Sequence, residues 1–556
     1  MVRPAAALLL LMACPAMGSG ESLADLAPIR SGRVTLRVPP GEQARPELVH
    51  LAADLDRAAA EMAPKLAVRE TKPLTVILEP DHVAQGQHTG EIGEAVPGPQ
   101  ADLYLVWDAR DLGAYRYALA RVLLSRSLAA RPPPWLERGA ALWLSGDWYG
   151  RPWREWLPLF AAAKVLPTAE DLLAPDDARD ASLPLWTPAA AAVVEKLPGA
   201  TVAEKLAQPP SRETVAATLA RLTAVPIQKP KSKIQNASPV PPFLAGVSLA
   251  MLNRLESGYH APSVGRQLDA FAALGANAVS LMPFAFQRAA DGPALAYMNH
   301  GPGSETDIGL IHATRLARAK GFHVLYKPHV WVSHGGWPGE IEMKSEAGWA
   351  AWWQGYRRYV LHHAFLARWA GADLFSIGCE LSKTVKREAE WRDLIAAVRL
   401  LYPGVVTYSG NWYGDLEGVR FWDALDVIGI DSYYPLSPSP QATRADLERG
   451  AREVAERFAA ASRRTGKKVL LTETGFAAHR GAWLAPHTEG GEYSEGDQAL
   501  AYQALFVALG RQSWLAGTFV WKAFSAPLAH SRDDADFRFQ GRKAEGVIRE
   551  YYRGHL

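Results

Sequence analysis

The second half of the chain alternates short apolar segments with longer amphipathic ones. The short segments have the length and the β-branched content of buried strands, and the longer ones repeat apolar residues at helical spacing. Repeated strand-then-helix units predict a parallel sheet, because strands that run in the same direction need a crossover between them. The eight predicted strands are 243–250, 277–284, 323–331, 374–381, 405–412, 425–434, 468–476 and 515–524. The helices predicted between them are 264–274, 306–320, 349–370, 391–401, 444–464 and 497–511.

The number of these units indicates whether the sheet is open or closes into a barrel. Eight strand-then-helix units favour a closed (β/α)8 barrel. An open, doubly wound sheet is the alternative, since its units look the same in sequence. The predicted fold class is therefore α/β, with a C-terminal (β/α)8 TIM barrel preceded by a smaller α+β domain.

Three segments precede the predicted barrel, which spans residues 242–556. Residues 1–20 have a charged Arg3, a short apolar core and then small residues, which is typical of a signal peptide and too short to span a bilayer. Residues 21–225 are dense in Ala, Leu and Arg, and we expect an α+β domain there. Residues 226–241 are rich in Pro, Lys and Ser and are predicted to be a linker.

The signal pattern predicts a periplasmic or secreted protein whose mature chain has no transmembrane segment. Cleavage after Gly18 fits a small-x-small site. The residues before Cys14 loosely resemble a lipoprotein box, so a lipid anchor at Cys14 is the alternative. Cys14 and Cys379 are the only cysteines, and no disulfide framework is expected.

The net charge and the aromatic content indicate which kinds of ligand the protein is expected to bind. The formal net charge is only +2, and no Lys/Arg block with interleaved aromatic residues appears, so nucleic acid is not expected. The chain has 19 Trp, and indole rings often line clefts because they stack on sugar rings and other flat ligands. Core packing is the alternative explanation for them.

Polar and aromatic residues collect at the ends of the predicted strands. In a (β/α)8 barrel, the loops at the carboxyl ends of the strands build the active site. The residues found there are Lys327, His329 and Trp331 on the third strand, Asn411 and Trp412 on the fifth, Asp431 and Tyr433 on the sixth, and Trp521 on the eighth. The sequence therefore predicts a ligand site at the barrel mouth.

Two carboxylates stand among these residues. Glu380 ends the fourth predicted strand and Glu473 lies near the end of the seventh, on roughly opposite sides of a barrel mouth. Glycoside hydrolases commonly use two facing carboxyl groups. One protonates the leaving oxygen, and the other attacks the anomeric carbon or activates water. This chemistry needs no metal or other cofactor. The alternative is that each Glu caps a helix or pairs with a barrel Arg or Lys.

The second half also resembles a known enzyme family. The runs LYKPHVW, FSIGCEL, DVIGIDSYYPL, VLLTETGF and GTFVWKAF resemble retaining glycoside hydrolases of clan A, most of all glycoside hydrolase family 113, known for endo-β-1,4-mannanase activity. The resemblance covers about residues 242–552 and implies Glu380 as acid/base and Glu473 as nucleophile. Cys379 departs from the clan pattern, because many members have Asn there to hold the sugar 2-hydroxyl.

The resemblance also suggests roles for the other residues at the mouth. The Tyr433 hydroxyl would donate a hydrogen bond to Glu473, and Trp521 would form the floor of the subsite that holds the attacked sugar. The expected sugar-binding residues are Lys327, His329, Asn411 and Asp431 through hydrogen bonds, and Trp331, Trp337 and Trp412 through stacking. The alternatives are a structural pair of Asp431 with Lys327 or a nearby Arg, a satisfied buried His329 and a Trp337 that covers a loop.

Several histidines are close in sequence in this half, and clustered histidines can bind a metal ion. His300, His312, His323, His329 and His334 do not form the two-His helical pattern with Glu that zinc hydrolases use. No bound metal is expected.

The first half contains a different resemblance. The segment 115–146 resembles the core of gluzincin metallopeptidases, with Tyr117, Arg121 and Arg138 at the ligand positions and Ala118 at that of the general base. Arg has no available lone pair, so zinc cannot bind there. This resemblance predicts an inactive peptidase-like domain that serves to bind a protein partner, to support the barrel or to contribute to its cleft, and an unrelated α+β domain is the alternative. The nearby Trp143, Trp148, Trp153 and Trp156 are expected to form a ligand or interface patch, or part of the core.

Together these patterns predict an exported, retaining β-glycoside hydrolase that acts on an oligo- or polysaccharide, with β-mannan as the first choice. One alternative is another β-linked glycan, such as a glucan, a galactan or a cell-envelope glycan. The other is a non-catalytic carbohydrate-binding or envelope protein built on the same barrel.

Overall fold

A computed structural model describes residues 25–66, 72–128, 130–174, 183–223, 243–297, 304–528 and 534–555. The predicted signal peptide 1–20, Cys14 and the predicted linker 226–241 lie outside these residues. Within the described ranges, no helix is both long enough and apolar enough to cross a membrane.

The residues before position 224 form a mixed sheet surrounded by helices. Its strands are β1 (Ala27–Ser31), β2 (Val34–Val38), β3 (Leu74–Glu79), β4 (Ala95–Val96) and β5 (Leu103–Val106), in the order β1-β2-β3-β5-β4. The helices are α1 (Pro46–Leu66), α2 (His82–Thr89), α3 (Leu112–Ser127), α4 (Pro134–Ser145), α5 (Leu157–Ala162), α6 (Ala169–Leu173), α7 (Leu183–Lys196), α8 (Val202–Lys205) and α9 (Arg212–Thr223). A hairpin of β6 (Asp147–Trp148) and β7 (Arg151–Pro152) follows α4. The region is α+β, as predicted.

The positions that resemble zinc ligands lie on α3 and α4. Tyr117 packs its ring against Trp148 at 5.1 Å between centroids, and Arg121 pairs with Glu137 at 3.4 Å. Arg138 lies one residue after Glu137 on α4. Two of the three ligand positions are therefore cations, and the resemblance to an inactive peptidase stays a prediction.

The four neighbouring Trp residues of this region take part in packing. Trp153 and Trp156 are buried, and Trp148 donates its indole N–H to the carbonyl of Pro184 at 2.8 Å. Trp143 lies near the ammonium groups of Lys65 and Lys205. These contacts favour the core alternative over an open ligand patch.

The residues from 243 onward form the barrel. Its strands and those of a smaller sheet are β8 (Leu244–Ala250), β9 (Ala278–Leu281), β10 (Phe284–Gln287), β11 (Leu295–Tyr297), β12 (His323–Tyr326), β13 (His329–Val332), β14 (Leu374–Cys379), β15 (Val405–Asn411), β16 (Ile428–Ser432), β17 (Val469–Thr474) and β18 (Leu515–Phe524). Eight of them close in the order β8-β9-β12-β14-β15-β16-β17-β18, with β18 paired to β8 and every pair parallel. The helices are α10 (Ser263–Leu274), α11 (Asp307–Ala319), α12 (Glu346–Ala370), α13 (Glu388–Leu401), α14 (Asp415–Gly418), α15 (Arg444–Thr465), α16 (Glu495–Leu509) and α17 (Lys543–Arg553). The predicted (β/α)8 barrel is confirmed, and the open sheet is excluded.

Helix ends follow cap residues, as α12 illustrates. Ser345 accepts the Gly348 N–H at 3.1 Å and begins the helix three residues before the predicted start. Gly371 ends it with a φ of 89°, a left-handed conformation that glycine adopts without the steric cost of a β-carbon. The predicted apolar stripe therefore located the helix, and the caps set its length.

Two predicted strands are each divided by a proline. The segment 277–284 is β9, then Pro283, then β10, and the segment 323–331 is β12, then Pro328, then β13. Proline has no N–H to donate to a ladder, so the barrel strand ends before it. Beyond the prolines, β10 pairs in parallel with β13 and antiparallel with β11. These three strands form a rim sheet at the carboxyl ends of the second and third barrel strands.

Candidate active site

The carboxyl ends of four consecutive barrel strands bring the predicted polar residues together. Glu380 directly follows β14, and Glu473 lies near the end of β17. Asn411 is the last residue of β15, and Asp431 lies near the end of β16. Their side chains form two groups of contacts at the mouth, one around Glu380 and Asn411 and the other around Asp431 and Glu473, which Lys327 joins.

The backbone of Glu380 has a left-handed conformation, with a φ of 52°. This conformation is uncommon for a residue with a β-carbon and persists only where the surroundings fix it. The Glu380 N–H donates to the Ser409 carbonyl at 2.8 Å, and the Leu381 N–H donates to the Tyr408 hydroxyl at 2.9 Å. These bonds hold the turn that ends β14 and place the Glu380 side chain beside β15.

Each oxygen of the Glu380 carboxyl accepts one N–H. Asn411 Nδ2 donates to Oε1 at 2.7 Å, and Trp337 Nε1 donates to Oε2 at 3.0 Å. The amide of Asn411 is oriented, because its Oδ1 accepts the Tyr413 N–H at 2.8 Å. Two residues predicted to bind sugar therefore contact the candidate acid/base directly.

The environment of Glu380 favours its protonated form. Its pKa is raised to about 8, first by burial and then by the nearby carboxylates of Asp431 and Glu473. The N–H groups of Trp337 and Asn411 lower this pKa, because they stabilise the ionised carboxylate. A carboxyl that keeps its proton at neutral pH suits a general acid.

Both oxygens of Glu473 are also hydrogen-bonded, but one of its donors is a cation. Lys327 Nζ lies 2.5 Å from Oε1, and the Tyr433 hydroxyl donates to Oε2 at 2.6 Å. Burial and then Asp431 raise the pKa of Glu473 to about 7, while Lys327 and Tyr433 lower it. Glu473 therefore loses its proton at a lower pH than Glu380, which suits a nucleophile.

Lys327 is shared between two carboxylates. Its ammonium lies 2.8 and 2.9 Å from the two oxygens of Asp431, in addition to its contact with Glu473. Asp431 also accepts the Thr472 hydroxyl at 2.7 Å and the Cys379 thiol at 3.1 Å. Lys327 and Asp431 are fully buried, so this geometry favours their structural pairing over direct contact with a sugar.

The non-catalytic explanation of Glu473 is that it serves only as an ion-pair partner of the barrel lysine Lys327. A buried cation is costly unless it is paired, and Asp431 already provides that partner for Lys327. The pairing alone therefore does not account for Glu473, whose other oxygen binds a tyrosine hydroxyl. The arrangement suits a carboxylate whose charge changes during a reaction.

Cys379 and His329 complete the surroundings of the nucleophile candidate. Burial and Asp431 raise the pKa of Cys379 well above its usual value, so the thiol stays protonated and donates to Asp431. Burial and Lys327 lower the pKa of His329 well below its usual value, so its ring is neutral. His329 Nε2 lies 3.9 Å from Glu473 Oε1 and has no hydrogen-bond partner in the described part of the chain.

The ligand atoms of His329, Cys379 and Glu473 all lie within 4.8 Å of one another, which is close enough to hold a metal ion. The thiolate, not the thiol, binds metals, and Cys379 is held as a thiol. The ammonium of Lys327 also occupies one oxygen of Glu473. This donor set fits a hydrogen-bonded network better than a cation site.

Aromatic side chains follow the third and fifth barrel strands. Trp331 on β13 is 54% exposed and packs edge-on against Phe284. Trp412 stacks on His487 at 5.6 Å, and Tyr413 beside it is 75% exposed. Exposed aromatic rings such as Trp331 can stack on the apolar faces of sugars, whereas Trp412 is partly buried, and the stacking roles of both stay predictions.

A small apolar cluster lies beside Glu473. Trp521 on β18 packs against it, and its centre contains Tyr433 and Phe537 with ring centroids 5.9 Å apart. The peptide bond between Trp521 and Lys522 is cis. The residues of the mouth that we did not predict are Phe284, Thr472, His487 and Phe537. Each lies at or after the end of a barrel strand, which is the signal that could have identified it.

Comparisons with known proteins agree with this geometry. A family model described as Glycoside Hydrolase Family 113 matches residues 252–542. The structure of the family 113 β-mannanase of Alicyclobacillus acidocaldarius in complex with ManMIm is 26% identical with a TM-score of 0.52, and the match covers 58% of this chain and 100% of that chain. A complex structure of a family 113 β-1,4-mannanase is 27% identical with a TM-score of 0.50, over 56% of this chain and 99% of that one. No curated protein matches the chain.

Proposed function

Because this chain belongs to glycoside hydrolase family 113, we propose that it cleaves a β-linked mannan by a double displacement that uses Glu473 and Glu380. The observation that carries the proposal is the contrast between the two carboxyls. Glu473 is held by a cation and a phenol, whereas Glu380 has only neutral N–H donors and the higher pKa. That division matches a nucleophile and an acid/base.

In the first step, Glu473 attacks the anomeric carbon while Glu380 gives its proton to the glycosidic oxygen. The bond from the anomeric carbon to that oxygen breaks, and an ester between the sugar and Glu473 forms. Glu473 loses its negative charge in this step. Lys327 keeps Asp431 as a counter-ion, so the neutral ester leaves no unpaired cation in the barrel.

In the second step, Glu380 acts as a base. It takes a proton from water, which attacks the anomeric carbon and releases Glu473 as a carboxylate. Asn411 and Trp337 stabilise Glu380 while it is ionised between the two steps. Two inversions at the anomeric carbon give net retention of its configuration.

The other residues of the mouth are assigned to sugar binding. The free Nε2 of His329 lies near the nucleophile and can hydrogen-bond a hydroxyl of the attacked sugar. Trp521 and Trp412 pack against the apolar cluster that contains Tyr433, beside Glu473, and the exposed Trp331 provides a further stacking surface. Mannan is the first choice of substrate because two solved relatives are β-mannanases.

A panel of polysaccharides tests the substrate assignment. The wild type is expected to release new reducing ends from β-mannan and glucomannan at least about tenfold faster than from xylan or β-glucan, because a pocket that hydrogen-bonds particular hydroxyls rejects sugars lacking them. Reducing-end assays measure these rates. The double variant Glu380→Gln/Glu473→Gln, which is nearly isosteric, is the inactive control. A preference for β-glucan would favour another β-linked substrate, and no hydrolysis at all would favour a non-catalytic barrel.

The two pKa values predict a bell-shaped dependence of kcat/KM on pH. Activity should rise as Glu473 ionises near pH 7 and fall as Glu380 loses its proton near pH 8. Because the two carboxyls interact, the limbs describe the pair. Trp337→Phe removes an N–H that favours ionised Glu380, so the upper limb should move to higher pH while the lower limb stays. Initial rates across the pH range measure both limbs, and movement of the lower limb alone would contradict the assignment.

Export to the periplasm or the outside is part of the proposal. It is supported by the signal pattern of residues 1–20, and a lipid anchor at Cys14 is the alternative.

A further inference from the structure

Aromatic side chains on the outer surface of barrel helix α12 are covered by aromatic side chains of the N-terminal region. Phe365 is fully buried, with the rings of Tyr149, Trp156 and Phe160 around it at 4.8, 5.0 and 5.5 Å. Trp369, one turn further along α12, meets Tyr149 at 5.6 Å. Without the N-terminal residues, this side of α12 would present aromatic surface to water, which is unfavourable.

A buried charge lies at the same contact. Arg315 on α11 is only 7% exposed, and its Nη1 lies 2.8 and 2.9 Å from the carboxylate oxygens of Asp111 and 3.1 Å from Asp108. Arg stays charged throughout the accessible pH range, so its burial requires these partners. Arg358 on α12 makes a second ion pair with Asp171 at 2.7 Å.

The N-terminal region also reaches a loop of the barrel mouth. Residues 251–262 follow the first barrel strand, and Leu255 of this loop packs against Gly86 of α2. The packing is tight enough that a β-carbon at position 86 would lie 2.6 Å from Leu255 Cδ1. The Leu252 N–H donates to Ser525 Oγ at 2.9 Å, and Ser525 directly follows β18, the strand of Trp521. A line of contacts therefore connects α2 to the candidate site.

These contacts differ from those of a domain that is only tethered. Interfaces between independent domains of one chain are usually polar and allow relative motion unless they are large and apolar. Here aromatic rings and a guanidinium lose their contact with water. A match over 58% of this chain covers the whole solved chain of the Alicyclobacillus mannanase, so about two fifths of this chain lies outside that match.

We propose that residues 25–223 are a fixed part of the catalytic unit, docked on α11 and α12, which holds the loop 251–262 in place at the barrel mouth. None of the described N-terminal side chains hydrogen-bonds Glu380 or Glu473, and the region acts by positioning a wall of the mouth. The effect on catalysis rests on the proposed glycosidase function. The docking itself does not, and it can be measured separately.

A charge reversal in the full-length chain tests the docking. Asp111→Arg places a second guanidinium against Arg315, and we expect faster hydrogen–deuterium exchange in residues 251–262. Since a misplacement of about 1 Å can cost about 10²-fold in rate, kcat/KM should fall by about tenfold to 10²-fold. The double variant Asp111→Arg/Arg315→Asp restores opposite charges at this pair, but it places a new carboxylate at position 315 beside Asp108, so it should recover only part of both losses.

Matched controls separate this effect from a general change of charge. Glu47→Arg makes the same charge change at an exposed ion pair on α1 and should leave exchange and activity as in the wild type. Wild-type exchange and activity in Asp111→Arg would overturn the proposal. If the wild type cleaves no glycan, the proposed function fails, while the exchange of residues 251–262 still decides the docking.

A milder variant covers the case in which Asp111→Arg does not fold. Gly86→Ala adds one methyl group 2.6 Å from Leu255 Cδ1 and 3.1 Å from Ile92 Cγ2, so the Leu255 side chain must shift and exchange should rise in residues 251–262. The control is Gly546→Ala in α17, where a β-carbon meets nothing within 4 Å. Equal exchange in both variants would contradict the connection between α2 and the mouth.

Discussion

Replacing Glu473 by Ala is expected to lower the rate of cleavage of polymeric and aryl β-mannosides by on the order of 10⁴-fold or more, because no glycosyl-enzyme ester can form. The variant should stay folded, because Lys327 retains Asp431 as its counter-ion. Initial rates measure the loss, and circular dichroism checks the fold. As a matched control, Glu417→Ala removes an exposed carboxylate on α14 and should keep wild-type activity.

Chemical rescue distinguishes a missing nucleophile from general damage. Glu473→Ala leaves a space in which azide can attack an activated aryl β-mannoside from the side that Glu473 occupied. The product should be the α-mannosyl azide, since only one inversion takes place. Wild-type activity in Glu473→Ala, or a β-configured azide product, would exclude Glu473 as the nucleophile.

Replacing Glu380 by Ala is expected to affect substrates according to their leaving group. Cleavage of mannan should slow by about 10²- to 10⁴-fold, because the leaving alkoxide then receives no proton from a positioned acid. A dinitrophenyl mannoside needs little protonation to depart, so its first step should be nearly unaffected. Its second step loses the base that activates water, and a burst of dinitrophenol should precede slow turnover.

Azide again provides the decisive control for Glu380. As an anion it needs no base, so it should speed turnover of the dinitrophenyl substrate by Glu380→Ala and give the β-mannosyl azide. An equal loss of rate for mannan and for the dinitrophenyl substrate would contradict the acid/base role.

The barrel could be predicted from sequence because each strand-then-helix unit is encoded locally. The apolar runs located all eight barrel strands, and the amphipathic stripes located the helices between them. The rim sheet was missed because the runs 277–284 and 323–331 read as continuous strands. Their prolines were visible in the sequence, but the pairing of β10 with β13 depends on contacts between distant segments.

The candidate site was predicted in part. Placement at strand ends identified Glu380, Glu473 and Tyr433, and the structure joins the last two by a hydrogen bond. The alternative pairings of Asp431 with Lys327 and of Glu473 with a barrel Arg or Lys were foreseen, but not that one lysine, Lys327, binds both carboxylates. The roles of individual side chains depend on which neighbours they reach across the barrel, and such distances have no local signature.

Trp337 and Asn411 also show that contacts across the barrel cannot be predicted from local sequence. Both were predicted to bind sugar, which stays a prediction, and the structure shows that both donate to Glu380. Trp337 lies on a loop far in sequence from Glu380, and only the folded chain shows that its indole N–H points at the carboxyl. The N-terminal docking contacts were equally hidden, because Arg315 and Phe365 look like ordinary helix residues in the sequence.

The rim sheet has a consequence for how such enzymes diversify. Its strands begin only after Pro283 and Pro328 have ended the ladders of the second and third barrel strands. Insertions or deletions in the turn between β10 and β11 therefore need not shift the register of the barrel. Such changes would leave both glutamates in place, so this rim of the mouth can vary independently of the two carboxyls.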